Sequence, residues 1–433
     1  MQDNSSTSNS SSSKQEFPKA LPWVIWSLAA LFYLYESLIQ VSPGVMVPDL
    51  MKAFSINSAA LGSVIAFFFY SYAGMQIPVG VLVDNYNARF LLTGAALSCA
   101  LGCVLFGTAN SIVMIALGRL LIGFGAAFAA VCAMKLAANW FPPRKFSFLV
   151  GLMVTTGMIG SMIGETPLAI LVDSIGWRET MLFLAVFGII IAVLIASVVR
   201  HSPDYLGKAN HVRKQVKKER AQPLLQGLLN VLKCRQSWLL AIYGGLIYAS
   251  TSIFGGLWGV PFLMKAYSLD KPAAAGIVSI MFFGWVVGSP LSGLMTSVLN
   301  SYKKVLWISS AGGLTVMLAV LYIPHLPLFL LSTFVFSFGV FSSFFLPSFT
   351  LMHDLHVNAS SGAALGFMNA ANMIGGAVGQ PLIGLLLDDT WDGTMLNNVR
   401  IYSTSDYQYA LSCLPIMLLV SLALIPFIKE KHG

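Results

Sequence analysis

Along most of this chain apolar residues neither alternate nor recur as stripes; they run on uninterrupted. Ala59 to Val83 contains no charged residue, and neither does Phe90 to Gly118. A run of about 18 or more apolar residues is long enough to cross about 30 Å of hydrocarbon as a helix. A dozen such runs occur, at about 22–47, 59–83, 90–108, 112–138, 146–172, 180–199, 238–261, 273–296, 305–323, 329–352, 361–387 and 409–428. The pattern predicts an all-α integral membrane protein with twelve transmembrane helices.

Composition agrees. Of 433 residues, 57% are hydrophobic and 10% charged, against about 25% charged in soluble domains. The formal charge of +8 marks topology rather than a nucleic-acid partner. With a cytoplasmic N-terminus, 18 Lys and Arg fall in inner segments, nine of them between Arg200 and Arg235, and five fall outside: Lys52, Arg178, Lys265, Lys271 and Arg400. The positive-inside rule then places both termini in the cytoplasm. Cys99, Cys103, Cys132, Cys234 and Cys413 form no ligand pattern and are expected as packing residues, with no metal and no cofactor. Residues 1–19, rich in Ser and Asn, are expected as a disordered tail, followed by a six-helix bundle at 20–200, a basic linker at 201–236 and a second bundle at 237–433.

The chain repeats itself. Val47-Pro48-Asp49-Leu50-Met51-Lys52-Ala53-Phe54-Ser55 is echoed by Val260-Pro261-Phe262-Leu263-Met264-Lys265-Ala266-Tyr267-Ser268, an offset of 213. Tyr35, Ser37 and Gly80 map to Tyr248, Ser250 and Gly293 at the same offset; Gly160, Gly164 and Asp173 map to Gly375, Gly379 and Asp388 at 215. Two parallel halves with a site at their interface near mid-membrane are a known transporter plan.

Gly80-Val-Leu-Val-Asp84-Asn85-Tyr86-Asn87-Ala88-Arg89 resembles the loop signature of the major facilitator superfamily. The resemblance implies that Gly80 allows close helix approach, that Asp84 caps the following structure and pairs with a base, and that Arg89 anchors at the headgroups. Asn85, Asn87 and Ala88 depart from the signature, and the second copy keeps Gly293 with Ser297 at the acidic position. Arg119-Leu-Leu-Ile-Gly123, Trp140-Phe-Pro-Pro143 and Gly176-Trp177-Arg178 are similar to further landmarks of the family. Tyr33-Leu-Tyr35-Glu36, Ser42-Pro43-Gly44-Val45-Met46, Met75-Gln76-Ile77-Pro78-Val79-Gly80 and Lys135-Leu-Ala-Ala-Asn139-Trp140-Phe141-Pro142 resemble the phagosomal-transporter branch of intracellular bacteria, which implies uptake of amino acids and other nutrients and a bacterial inner membrane.

Ionisable groups within a bilayer are costly, so each is a functional candidate. Glu36, Arg119, Lys135 and Glu165 all lie deep in spans of the first half, and Glu36 and Glu165 map to the uncharged Ala249 and Gln380. Tyr33, Glu36, Gln40 and Pro43 share one helical face; such a stripe belongs against a wet cavity, where Glu36 is suited to carry a proton. Arg119 and Lys135 project about 160° apart on an ideal helix. Family analogy makes Arg119 a structural or coupling group. Lys135 either snorkels to the inner headgroups, binds a carboxylate or pairs with Glu36. Glu165 is an outer-gate group, a second proton site or a structural residue. The faces Gly160/Gly164 and Gly375/Gly379 are expected to pack tightly and to make the contact between halves that rocks. Tyr248 and Thr251, with Asn369 and Asn372, are placed to hydrogen-bond a polar solute, and Gln380, at the position of Glu165 in the second half, is a further candidate on the pathway.

These observations predict a secondary transporter working as a monomer by alternating access, importing a small polar nutrient with protons. Two rivals remain: a proton-driven exporter of drugs or siderophore-like metabolites, and a non-transporting membrane receptor or enzyme. Nothing in the sequence resembles a catalytic constellation or a phosphate-binding loop.

Overall fold

The computed structural model describes residues 20–200, 224–356, 361–396 and 399–430. The expected tail and the linker up to residue 223 lie outside them; the end of that linker forms a helix, Leu224–Lys233. Twelve helical spans follow the apolar runs: Leu21–Phe54, Ser58–Val83, Ala88–Gly107, Ile112–Trp140, Pro143–Ile175, Trp177–Val198, Arg235–Tyr267, Lys271–Leu299, Tyr302–Tyr322, Leu328–Leu355, Gly362–Thr390 and Thr404–Phe427. The only strands among the described residues are the two-residue pair Met395–Leu396 and Val399–Arg400, between the last two spans. Large apolar side chains such as Phe90, Val193 and Phe329 stay exposed on the outside, as a lipid-facing surface requires.

The repeat in the sequence is a repeat in the backbone. The first span ends at Ser55 and the seventh at Ser268, both left-handed, with φ of 50° and 52°. The next helix is capped by Asn57 in one half and by Asp270 in the other, through the Ala60 and Ala273 amides. Packing repeats too: the second span lies on the fourth as the eighth lies on the tenth, and the first on the fifth as the seventh on the eleventh. The halves meet where the second span crosses the eleventh and the fifth crosses the eighth.

Several spans are interrupted. In the first, a helix to Val41 gives way to a 3-10 turn, Ser42–Met46, before helix resumes at Val47. In the seventh, a π-turn at Phe254–Trp258 occupies the equivalent place. The two interruptions touch: a Cβ on Gly44 would stand 3.3 Å from the Gly256 carbonyl oxygen.

The glycine faces require a correction. Gly160 sits against the Leu34 carbonyl and Gly164 against Leu38 and Val41, so both pack the fifth span onto the first within one half. Gly375 and Gly379 do the same in the other half, against Gly245, Ala249 and Ile253. Small residues at this spacing mark a close approach between helices, but they do not say which helix approaches. Besides Gly44, glycines that bring the halves together include Gly62, against the Gln380 carbonyl, and Gly384, against the Ser58 carbonyl.

Gly164→Leu therefore forces the first and fifth spans apart inside a bundle. Overpacking of this kind costs on the order of 1–3 kcal/mol. The expected outcome is a lower melting temperature of the purified protein in detergent; unchanged melting would contradict the packing described.

Candidate functional site

Between the halves lies a cavity of about 180 Å³. Tyr33, Glu36 and Gln40 reach it from the first span, Phe69 and Tyr72 from the second, and Tyr248 and Thr251 from the seventh. Phe282 and Trp285 of the eighth span, Phe345 of the tenth, and Asn369 and Asn372 of the eleventh complete most of its wall. Glu36 is only 3% exposed. Its Oε1 accepts a long 3.5 Å hydrogen bond from Ser37 Oγ, and Oε2 has no partner among the described residues. Asn369 Nδ2 donates to Gln76 Oε1 at 2.8 Å, joining the eleventh span to the second.

The interrupted first span explains Arg119. Pro43 has no N–H to give the Ile39 carbonyl four residues earlier, and a bare carbonyl in a bilayer is costly. Arg119 Nη1 donates to that carbonyl at 3.0 Å, joined by Ser42 Oγ at 3.0 Å, and Nη2 donates to the Gln40 carbonyl at 3.2 Å. Nε donates at 3.4 Å to the Ile65 carbonyl. This group is freed by the bend in the second span, where the Phe69 amide bonds to Ala66 instead. The guanidinium also lies 4.8 Å from the Phe68 ring centre. Its planar fork serves two helix breaks at once, and by fixing the main chain at Ile39 and Gln40 it positions the face that carries Glu36.

Four other expected residues lie away from the cavity wall. Arg119 is one. Lys135 is half-buried on the helix Ala129–Trp140. Gln380 is buried, its carbonyl accepting from Trp258 Nε1 at 3.1 Å and its Nε2 donating to the Ser252 carbonyl at 3.5 Å. Glu165 is fully buried at the break between Ile163 and Thr166, with neither carboxyl oxygen partnered among the described residues.

At the end of the molecule away from the termini, the halves are tied by charge. Lys271, at the start of the eighth span, bonds Asp173 at 2.7 Å and Asp49 at 2.8 Å. On the other side Asp388 accepts from the Ala59 amide at 2.9 Å, from Arg400 at 3.1 Å and from the Tyr402 hydroxyl. Asp173 and Asp388 are repeat partners, and so, at the offset of 213, are Ser58 and Lys271. Each half thus ends its fifth helix in an aspartate that holds the start of the other half's second helix. Sequence reasoning noted Asp173 and Asp388 as repeat matches without seeing this contact, and it missed Asp49, Lys271, Gln76, Tyr72 and Trp285.

Toward the termini the halves part. Gly80 and Gly293, expected at close approaches, have nothing within 4 Å of where a Cβ would stand, and the same is true of Gly74 and Gly362. In this conformation the parts of the second and eighth spans that carry Gly80 and Gly293 stand clear of their neighbours on those faces. Asn87 caps the third span, its Oδ1 accepting from the Arg89 amide at 3.0 Å; the side chain of Asp84, expected in a capping role, lies outside the described ones. The guanidinium of Arg89 lies 6.0 Å from the Phe90 ring. No group of three or more His, Cys, Asp or Glu suited to a metal occurs among the described residues.

Comparison with known proteins agrees with this architecture. The family profile "Major Facilitator Superfamily" matches residues 25–380 and 240–431. The chain is 26% identical to the putative transporter AraJ of Escherichia coli, over 67% of this chain and 69% of AraJ. It is 25% identical to the mouse lysosomal dipeptide transporter MFSD1, over 66% of this chain and 63% of MFSD1. It is 23% identical to the probable sulfoacetate transporter SauU of Cupriavidus necator, over 67% and 70%. Among solved structures, a bacterial homologue of the human lysosomal transporter Spinster, inward-facing and unoccupied, superposes with a TM-score of 0.76 at 14% identity, covering 95% of this chain and 98% of that one. At that identity the likeness shows the fold.

Lys271→Ala removes both ion pairs of one tie while leaving the other. Partly exposed pairs contribute about 0.2–1 kcal/mol each, so the closed end should loosen several-fold. With the native cysteines replaced, a cysteine at Thr251 should react faster with an impermeant thiol reagent added at that end. An unchanged rate would mean that the tie does not hold the halves together.

Proposed function

Because the chain belongs to the Major Facilitator Superfamily, a family of membrane transporters, we propose that it imports a small polar nutrient of the amino-acid or short-peptide class together with a proton, by alternating access. Glu36 carries the proposal: it is a buried carboxyl with a partnerless oxygen on the wall of the cavity between the halves. Coupling requires a group whose proton affinity depends on which side the cavity faces and on whether solute is bound. A mid-span carboxyl held on a main chain fixed by Arg119 meets that description. The dipeptide transported by the relative MFSD1 is of the class proposed.

The distribution of Lys and Arg supports cytoplasmic termini, and the membrane proposed is a bacterial inner membrane. The end tied by Lys271 and Asp388 is then the outer one, and the conformation described is closed outward. The two six-helix halves, 20–200 and 237–433, rock about the cavity, and a single chain suffices to form it.

Two experiments test this. Cysteines at Asn85 and Asp392, both exposed, should label only from inside and only from outside the cell, respectively; labelling of both from one face would break the topology. In proteoliposomes, Glu36→Gln should abolish accumulation of labelled amino acids or dipeptides driven by a pH gradient while permitting solute-for-solute exchange. Uphill accumulation by Glu36→Gln with unaltered pH dependence would remove Glu36 as the coupling group.

A further inference from the structure

Four residues that line the cavity each carry a buried polar atom with no hydrogen-bond partner among the described residues: Glu36 Oε2, Thr251 Oγ1, Trp285 Nε1 and Asn372 Oδ1. All four belong to side chains at least nine-tenths buried, with exposures of 3%, 5%, 4% and 2%. Leaving a buried polar atom unpaired is costly, and native proteins do so rarely. Four residues of this kind around one cavity mark a place where a ligand's polar groups complete the bonding.

Their chemistry limits that ligand. Trp285 Nε1 only donates, Asn372 Oδ1 only accepts, Thr251 does either, and Glu36 donates when it carries a proton. Among the described residues of the wall, Glu36 is the one acidic or basic side chain. The titratable groups around it are Tyr33 on its own helix, Tyr72 on the second span, Tyr248 on the seventh and Cys99 on the third, none of them cationic. Arg119, on the fourth, is committed to main-chain carbonyls. Net charge is expensive to hold in such a place. A lone anion would have no counter-charge, and a lone cation would have none once Glu36 is protonated.

We propose, resting on the proton-coupled reading above, that the solute is a zwitterion bearing an ammonium and a carboxylate on an apolar body. The ammonium is held by Asn372 Oδ1 and by the faces of the neighbouring aromatic rings. The carboxylate is held by Trp285 Nε1–H, by the Thr251 hydroxyl and by the protonated Glu36. The apolar body lies against Phe282 and Phe345. Binding of the carboxylate then needs the proton on Glu36, which ties solute to proton in one complex.

The test is ligand-induced thermal stabilisation of the purified, unmodified protein. The probes are the twenty amino acids and alanyl-leucine, set against 3-phenylpropanoate, phenethylamine, galacturonate and glucose. At least one zwitterion should raise the melting temperature, with analogues lacking its amine or its carboxylate binding about tenfold more weakly or worse. Stabilisation by an organic acid or a sugar equal to that by the best zwitterion overturns the proposal, and so does the absence of any zwitterion that stabilises. Trp285→Phe should weaken the zwitterion about tenfold and its decarboxylated analogue by less than twofold; equal losses overturn the assignment of Trp285. Zwitterion binding without proton-driven uptake would instead sink the transport mechanism and leave the recognition intact.

Discussion

The conformation described here depends on a pair of related contacts, in which an aspartate at the end of the fifth helix of each half holds the start of the second helix of the other. Asp173 meets the ammonium of Lys271, and Asp388 meets the amide of Ala59 together with Tyr402 and Arg400. The two contacts are equivalent by the repeat but use different chemistry, one an ion pair and the other mostly a helix N-terminus, where the unpaired amides and the helix dipole favour a carboxylate. Both lie at the same end of the molecule. With them made, the second and eleventh spans are forced close at Gly62 and Gly384 and are free to diverge past Gln76 and Asn369. The cavity is left between a tied end and a parted one.

Interrupted helices in a bilayer need partners for their freed carbonyls, and this fold draws those partners from other spans. Pro43 leaves the Ile39 carbonyl to Arg119. Pro381, inside the eleventh span, has no N–H for the carbonyl of Ala377, and the Tyr70 hydroxyl of the other half donates to it at 3.2 Å. The first case stiffens one half around the face bearing Glu36. The second lies on the interface between the halves, so under the alternating access proposed its bond breaks or slides. Backbone chemistry thus separates a rigid part of the site from one that changes.

Much of the architecture was legible in the chain. Twelve spans followed from unbroken apolar runs, the two halves from matches at offsets of 213 and 215, and the cavity face of the first span from the spacing of Tyr33, Glu36 and Gln40. What failed was partner identity. Gly160 and Gly164 announce a close approach, yet the sequence does not say whether the approaching helix belongs to the same half. Gln380 looked like a pathway residue because it replaces the acid at Glu165, but it bonds Trp258 and Ser252 inside its own half. Lys271 was counted only as an outer charge, since its two partners are far away in sequence. Contacts between helices distant in the chain leave no local periodic trace, and the site is made of such contacts.

The central claim is that one proton crosses with the solute. It is tested most directly by recording the internal pH of proteoliposomes with a trapped dye while an amino acid or dipeptide that stabilises the protein runs down its own gradient, with no pH gradient imposed. Acidification inside is expected wherever solute flows in, at a rate proportional to solute uptake and absent from vesicles without protein. Solute uptake with no change in internal pH, or with alkalinisation, would contradict it.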